Sequence, residues 1–152
     1  MPPIQGGGDM IRQVNLNETT YQDPPLRFEA GTPIIGPVIA LKAALEFVEQ
    51  NRRPDLLLPY ATKRLQAISR LKIIGTAPEK GPILTFHIEG IHPLDLATLL
   101  DLKNISIRSG HLCAQPLLSK LGLKSVARAS FGLYNSLEEV DVLADSLRAL
   151  LS

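Results

Sequence analysis

The residues best suited to chemistry lie in one short run, Arg108-Ser109-Gly110-His111-Leu112-Cys113-Ala114-Gln115-Pro116. Cys113 is the chain's one cysteine. The thiolate is the nucleophilic form of cysteine, and nearby positive charge lowers a thiol's pKa from about 8.5. Arg108 supplies a permanent charge, and His111 stands two residues before the sulfur. A free cysteine often packs instead as a small buried hydrophobe. The polar, glycine-containing surroundings favour the nucleophile here, because a core cysteine normally lies in an apolar run.

Arg128 is the second candidate. In Val126-Ala127-Arg128-Ala129-Ser130, read as a strand, it shares a face with Val126 and Ser130, opposite Ala127, Ala129 and Phe131. A guanidinium between small residues can grip a planar carboxylate with two parallel hydrogen bonds. An edge-strand arginine pointing into water fits the same pattern equally well. Gly31 and Thr32, followed by Pro33, could offer a hydroxyl and backbone N–H groups to a phosphate; an ordinary turn is the stronger reading on spacing alone. Gly6-Gly7-Gly8 lacks the spacing of a dinucleotide fingerprint or a phosphate-binding P-loop. His87 alternates along a strand and His92 reads as a helix cap, so both take structural roles. One cysteine and three scattered histidines make no metal-ligand spacing.

The elements that must hold these groups follow from pattern. Residues 1–37 are rich in glycine and proline breakers, with one possible short strand over Gln13 to Leu16. A stretch this irregular is expected to be functional or to belong with a neighbouring domain. Ala40 to Gln50 is built of strong helix formers. A second helix is expected from Leu56 to Leu71. Strands are expected over 72–75, Ile83 to Ile88, Ile105 to Arg108 and Val126 to Tyr134. Helices follow over His92 to Leu102 and Pro116 to Leu121. Ser136-Leu137-Glu138-Glu139 is a capping box, and Val140, Leu143, Leu147 and Leu150 mark the apolar face of a last helix. The expectation is an α/β chain of the α+β type: residues 38–152 form a mixed sheet of about four strands with helices mainly on one face. A long helix at the start of that domain links it to 1–37.

Composition narrows the partners. The chain has 152 residues, 45% hydrophobic and 20% charged, with net charge +1. That is enough for one globular core and carries no polyanion footprint, so no nucleic acid is expected. A single cysteine excludes an intramolecular disulfide and fits a reducing, cytoplasmic setting. No run of about 18 apolar residues suggests a membrane span.

Several motifs in order resemble one family. They are Met1-Pro2-Pro3, Gly6-Gly7-Gly8-Asp9-Met10-Ile11, Arg27-Phe28-Glu29-Ala30-Gly31-Thr32-Pro33, the cysteine run 108–116, Ala127-Arg128-Ala129-Ser130 and Tyr134-Asn135. Together they are similar to the C-terminal part of SufS/NifS-type cysteine desulfurases, pyridoxal-phosphate enzymes of the aminotransferase class-V group. The resemblance implies the small domain of that fold, a homodimer, L-cysteine as substrate, and a sulfur-acceptor protein of iron–sulfur cluster assembly as partner. It implies that Cys113 takes the substrate's sulfur as a persulfide and Arg128 holds the substrate carboxylate. Arg108 then lies near the substrate, His111 beside the thiol, and Gly31 and Thr32 reach the cofactor phosphate of the partner subunit. The short cysteine loop resembles the type II enzymes. Leu112 stands where the family often has a second histidine. The family's cofactor-binding lysine follows a histidine, and no lysine here does. The chain is therefore expected to be inactive alone, a C-terminal portion of a larger enzyme. Selenocysteine lyase and cysteine sulfinate desulfinase are the sibling activities. A non-catalytic sulfur carrier or dimerisation fragment is the alternative of another kind.

Overall fold

A computed structural model describes residues 1–51 and 54–151. Positions 52, 53 and 152, which fall inside the domain expected over 38–152, lie outside the described residues. The chain divides into two compact units, Met1–Glu49 and Gln50–Ser152. The division falls within the last turn of the first long helix, Ile35–Asn51.

In the first unit, β1 (Ile11–Val14) pairs antiparallel with β2 (Thr19–Tyr21), giving a hairpin where one short strand was expected. Met10, just ahead of β1, is fully buried. A 3-10 turn covers Leu26–Phe28. Helix α1 (Ile35–Asn51) begins five residues before the expected Ala40. Pro37 sits in its first turn, where a missing N–H costs nothing.

The second unit holds the sheet. Its strands are β3 (Leu71–Ile74), β4 (Ile83–Ile88), β5 (Arg108–Gly110) and β6 (Val126–Ser130), in the order β3-β4-β6-β5. Four strands were expected, and four form. Every pairing is antiparallel, so the sheet is not mixed in direction. The helices are α2 (Pro54–Gln66), α3 (Pro93–Asp101), α4 (Gln115–Lys120) and α5 (Leu137–Leu151).

Alternation decides which face is covered. Leu84, Phe86 and Ile88 of β4 are buried, as are Ala127 and Ala129 of β6. They join Leu57, Ala61 and Leu65 of α2, Leu96 and Leu100 of α3, and Val140, Leu143 and Leu147 of α5 in one core. Three helices thus pack on one face. The rim of the α2–α5 contact is polar. Tyr60 donates its hydroxyl to Asp141 at 2.8 Å, and that bond raises the phenol's pKa above 10.0. Arg64 Nε lies 2.6 Å from Asp141 Oδ1, an ion-pair contact without hydrogen-bond alignment. Arg64 Nη2 reaches Asp145 at 3.1 Å.

Three boundaries move for physical reasons. Helix α2 stops at Gln66, because Arg70 takes a left-handed φ of 67° and Leu71–Ile74 pairs with β4. Strand β5 starts at Arg108 rather than Ile105. The Ile105 N–H is turned back to the Leu100 carbonyl at the end of α3. Strand β6 ends at Ser130, and the Gly132 N–H then donates to the Asn135 side chain. The capping box forms as expected. The Ser136 N–H donates to Glu139 Oε2 at 3.0 Å, and the Glu139 N–H to Ser136 Oγ at 3.3 Å.

Candidate functional site

The face of the sheet opposite the core carries the candidate residues. Arg108 of β5 and Arg128 of β6 are direct cross-strand partners. Thr85 of β4 is the partner of Arg128 on its other side. Side chains of directly opposed residues share a face, so Thr85, Arg128 and Arg108 form one row. His87 lies two residues along β4 on that same face, opposite Lys72 of β3.

Two guanidinium groups directly opposite one another repel. The arrangement is stabilised when an anion meets them. Arg128 is half-buried, and its Nε is buried without a hydrogen-bond partner among the described residues. An unpaired buried N–H costs about 1–3 kcal/mol, so this guanidinium has binding capacity that the chain itself leaves unused. His87 Nδ1 is buried and unpartnered in the same way. His87 takes its expected place in the alternation of β4. His92 does what was expected of it: its Nδ1 caps α3 by accepting from the Leu94 N–H at 3.2 Å.

Strand β5 ends at Gly110, whose φ of 116° suits glycine and turns the chain out of the sheet. The next four residues make a tight turn. The Ala114 N–H donates to the His111 carbonyl at 2.9 Å, and the two central residues, Leu112 and Cys113, have φ of 54° and 59°. Positive φ at both central positions is the pattern of a type I′ turn, which normally takes asparagine and glycine. Cys113 is exposed on this turn. The buried-packing alternative is therefore not what the fold realises. Arg108 Nη2 faces the sulfur at 3.9 Å. His111 is exposed and contributes its carbonyl to the turn; the contact to the sulfur comes from Arg108.

Gly31 and Thr32 belong to the first unit. Gly31 has φ of 88°, and its N–H donates to the Gly8 carbonyl at 3.0 Å. A Cβ on Gly7 would stand 3.1 Å from the Gly31 nitrogen, so glycine at position 7 allows this close approach. The Gly31 N–H is thus engaged, and Thr32 is exposed. A cavity of about 270 Å3 lies elsewhere, lined by Lys103, Ser106, Ser130, Asn135 and Glu139 among others; none of the candidate residues lines it.

The sequence singles out Cys113, Arg108 and Arg128 as candidates but does not show that the two arginines oppose each other. It also passes over Thr85 and gives His87 no part on this face. The signal was present, since Thr85 and His87 alternate with buried residues. The strand order that sets them beside Arg128 was not readable.

Comparison with known proteins places this geometry. Residues 1–143 match the model of the aminotransferase class-V family. A probable cysteine desulfurase of Xylella fastidiosa (strain 9a5c) is 45% identical over 147 residues, which is 93% of this chain and 35% of that protein. The apo cysteine desulfurase of Thermococcus onnurineus NA1 superposes with a TM-score of 0.85 at 36% identity, over 97% of this chain and 39% of that one. The Escherichia coli cysteine desulfurase CsdA, in its S-sulfonic acid form, superposes with a TM-score of 0.83 at 34% identity, over 99% and 39%. The chain thus spans between one third and two fifths of the length of these relatives.

Proposed function

Because the chain belongs to the aminotransferase class-V family, we propose that it is the part of a pyridoxal-phosphate cysteine desulfurase that carries the sulfur-accepting thiol and the clamp for the substrate carboxylate. The observation that carries this reading is one arrangement. An exposed thiol stands on a strained turn, Arg108 faces its sulfur at 3.9 Å, and Arg108 is the cross-strand partner of an arginine with an unpartnered buried Nε.

The residues present fit the substrate's side of such a site. Arg128 donates to the carboxylate of L-cysteine in a charge-assisted contact and orients the amino acid. Cys113 meets the substrate's sulfur. Its Sγ forms a sulfur–sulfur bond as the substrate's carbon–sulfur bond breaks, so L-cysteine and the thiol become L-alanine and a Cys113 persulfide. Pyridoxal phosphate, when bound, supplies the electron sink that receives the pair from the broken bond. Arg108 places positive charge at the sulfur through which that charge moves. Thr32 offers a hydroxyl to the cofactor phosphate in a homodimer, with Gly31 shaping the turn. No lysine of this chain follows a histidine, so the covalent hold on the cofactor comes from outside the motifs recognised here. The persulfide then feeds a sulfur-acceptor protein in cytoplasmic iron–sulfur cluster assembly. Residues 1–37 read as a strip of the larger cofactor-binding domain, and 38–152 as the small domain.

The test is a chimera. This chain replaces the matched 147 residues of the Xylella fastidiosa relative, and alanine release from L-cysteine is measured beside selenocysteine and cysteine sulfinate. Alanine release with sulfur recovered on Cys113 supports the reading. Faster turnover of either other amino acid reassigns the substrate. A chimera that holds the cofactor and takes up sulfur on Cys113 from a persulfide donor, yet releases no alanine, makes this chain a sulfur carrier.

A further inference from the structure

Charge along the chain is uneven in a way that the net value of +1 hides. From Leu102 to Leu137 there are five cations (Lys103, Arg108, Lys120, Lys124 and Arg128) and no carboxylate, so all 15 acidic residues lie elsewhere. This carboxylate-free stretch contains the Cys113 turn and α4. Helix α4 turns Leu118 inward at 4% exposure, while Leu117 and Leu121 stand 56% and 50% exposed. Leu117 and Leu121 are four residues apart and so share one face. Lys120 is on the same side of the helix and is exposed, as is Lys124 beyond the Gly122 turn. A six-residue helix is only about 9 Å long, and α4 starts two residues after Cys113, so Leu117 and Lys120 lie within two turns of the thiol.

We infer that this ridge, Leu117 and Leu121 framed by Lys120 and Lys124, is the docking surface for the protein that takes sulfur from Cys113, and that this partner presents an apolar knob with an acidic rim beside its own thiol. The inference rests on the proposed sulfur-accepting role of Cys113. Two apolar side chains give a small contact area, while the flanking lysines give orientation and rate. Complementary charge speeds encounter by about 10–1,000-fold and is screened by salt. The transfer needs no oxidant. The partner's thiolate attacks the outer sulfur of the Cys113 persulfide and the sulfur–sulfur bond breaks. Cys113 leaves as thiolate, and the partner carries the sulfur together with its proton. Orientation matters because the attacking and leaving sulfurs must align, and a ridge one helical turn from Cys113 can hold a partner in that alignment.

The experiment uses the 152-residue chain and two cysteine peptides, each activated as a thionitrobenzoate mixed disulfide. One has leucine and glutamate beside its cysteine, the other leucine and lysine. Attack by Cys113 releases thionitrobenzoate, which is read by absorbance. The glutamate peptide is expected to react at least tenfold faster at low salt, with most of that advantage gone at 0.5 M salt. Lys120→Glu combined with Lys124→Glu should remove most of the preference, and Leu117→Ser combined with Leu121→Ser should slow both peptides at high salt. Iodoacetamide, small and neutral, should alkylate all variants at the same rate. A preference unchanged in the lysine double variant overturns the docking surface and leaves Arg108 as its source. Sedimentation showing a dimer that the leucine double variant dissolves gives the ridge to a second copy and also overturns it. A native thiol closed to iodoacetamide overturns both this inference and the sulfur-accepting role. An open thiol with no peptide preference overturns the docking surface alone.

Discussion

The two faces of the four-stranded sheet are made by the same strands and have opposite characters. On β4, Leu84, Phe86 and Ile88 go into the core while Thr85 and His87 face away. On β6, Ala127 and Ala129 go in and Arg128 goes out. The covered face has small and large apolar side chains matched to three helices. The open face has two opposed arginines and unpartnered nitrogens on Arg128 and His87. Burial of that kind costs stability, and it persists only because the covered face supplies it. The core and the candidate site are therefore separated by a single residue step along one strand.

Adjacent residues on β4 give the largest test of that separation. Phe86 is fully buried, and Phe86→Ala should cost about 3–5 kcal/mol by loss of transfer energy and creation of a cavity. Thr85→Ala, one residue away on the open face, should stay within about 0.5 kcal/mol. Urea denaturation of both variants measures this. Comparable losses would mean the open face is also packed, and the division would not hold.

Arg128→Ala should give the inverse result. In the chimera it should raise KM for L-cysteine about ten- to a hundredfold, from loss of roughly 1.5–3 kcal/mol of a charge-assisted hydrogen bond. Its melting temperature should not fall, because the variant removes both the repulsion from Arg108 and a buried unpaired N–H. A lowered melting temperature with unchanged KM would make Arg128 a packing residue.

How much of this was legible depends on how local the cause is. Alternation over Ile83 to Ile88 identified β4 and its buried face, because burial acts on every second residue. The capping box at Ser136 and Glu139 was readable because four residues contain the whole interaction. The opposition of Arg108 and Arg128 was not, since it arises from β5 pairing outside β6 rather than beside β4. Helix α1 shows another limit. Its composition marked it as a helix, yet none of its residues is buried, with Ile39 69% and Leu45 60% exposed. Propensity acts within the helix, whereas burial depends on what surrounds it. Lys42 and Glu46 pair at 3.8 Å along one stripe of α1, and the apolar residues of its other sides meet no core among the described residues. Helix α5, with apolar residues on one side, needs only the layer it already has.

The start of α5 gives a smaller effect on the covered side. Ser136→Ala should cost about 1 kcal/mol by loss of a helix cap. Bonds from the Asn135 side chain and then the Ser136 backbone N–H hold the Glu139 carboxyl below 4.5. A lowered folded-state pKa contributes stability above the unfolded value, which is lost as pH falls through the folded value. Glu139→Gln should therefore be less stable than the parent near pH 7, with the gap closing below pH 4. A gap that does not depend on pH would show that the carboxylate's charge has no part in the cap.

The smallest expected effect concerns the turn that presents the thiol. Leu112 has φ of 54°, where an L-residue other than glycine or asparagine loses about 1–2 kcal/mol. Asparagine tolerates this region, because its short polar side chain bonds locally. Leu112→Asn relieves strain but gives up the contacts of a half-buried leucine, so the net should be a gain below about 1 kcal/mol. Cys113 should still be alkylated by iodoacetamide at the parent's rate, because the turn keeps its shape. A loss greater than about 1 kcal/mol would show that the Leu112 side chain anchors the turn by packing. The turn would then depend on apolar burial as the covered face does, and the boundary between the two faces would fall on the far side of the nucleophile's neighbour.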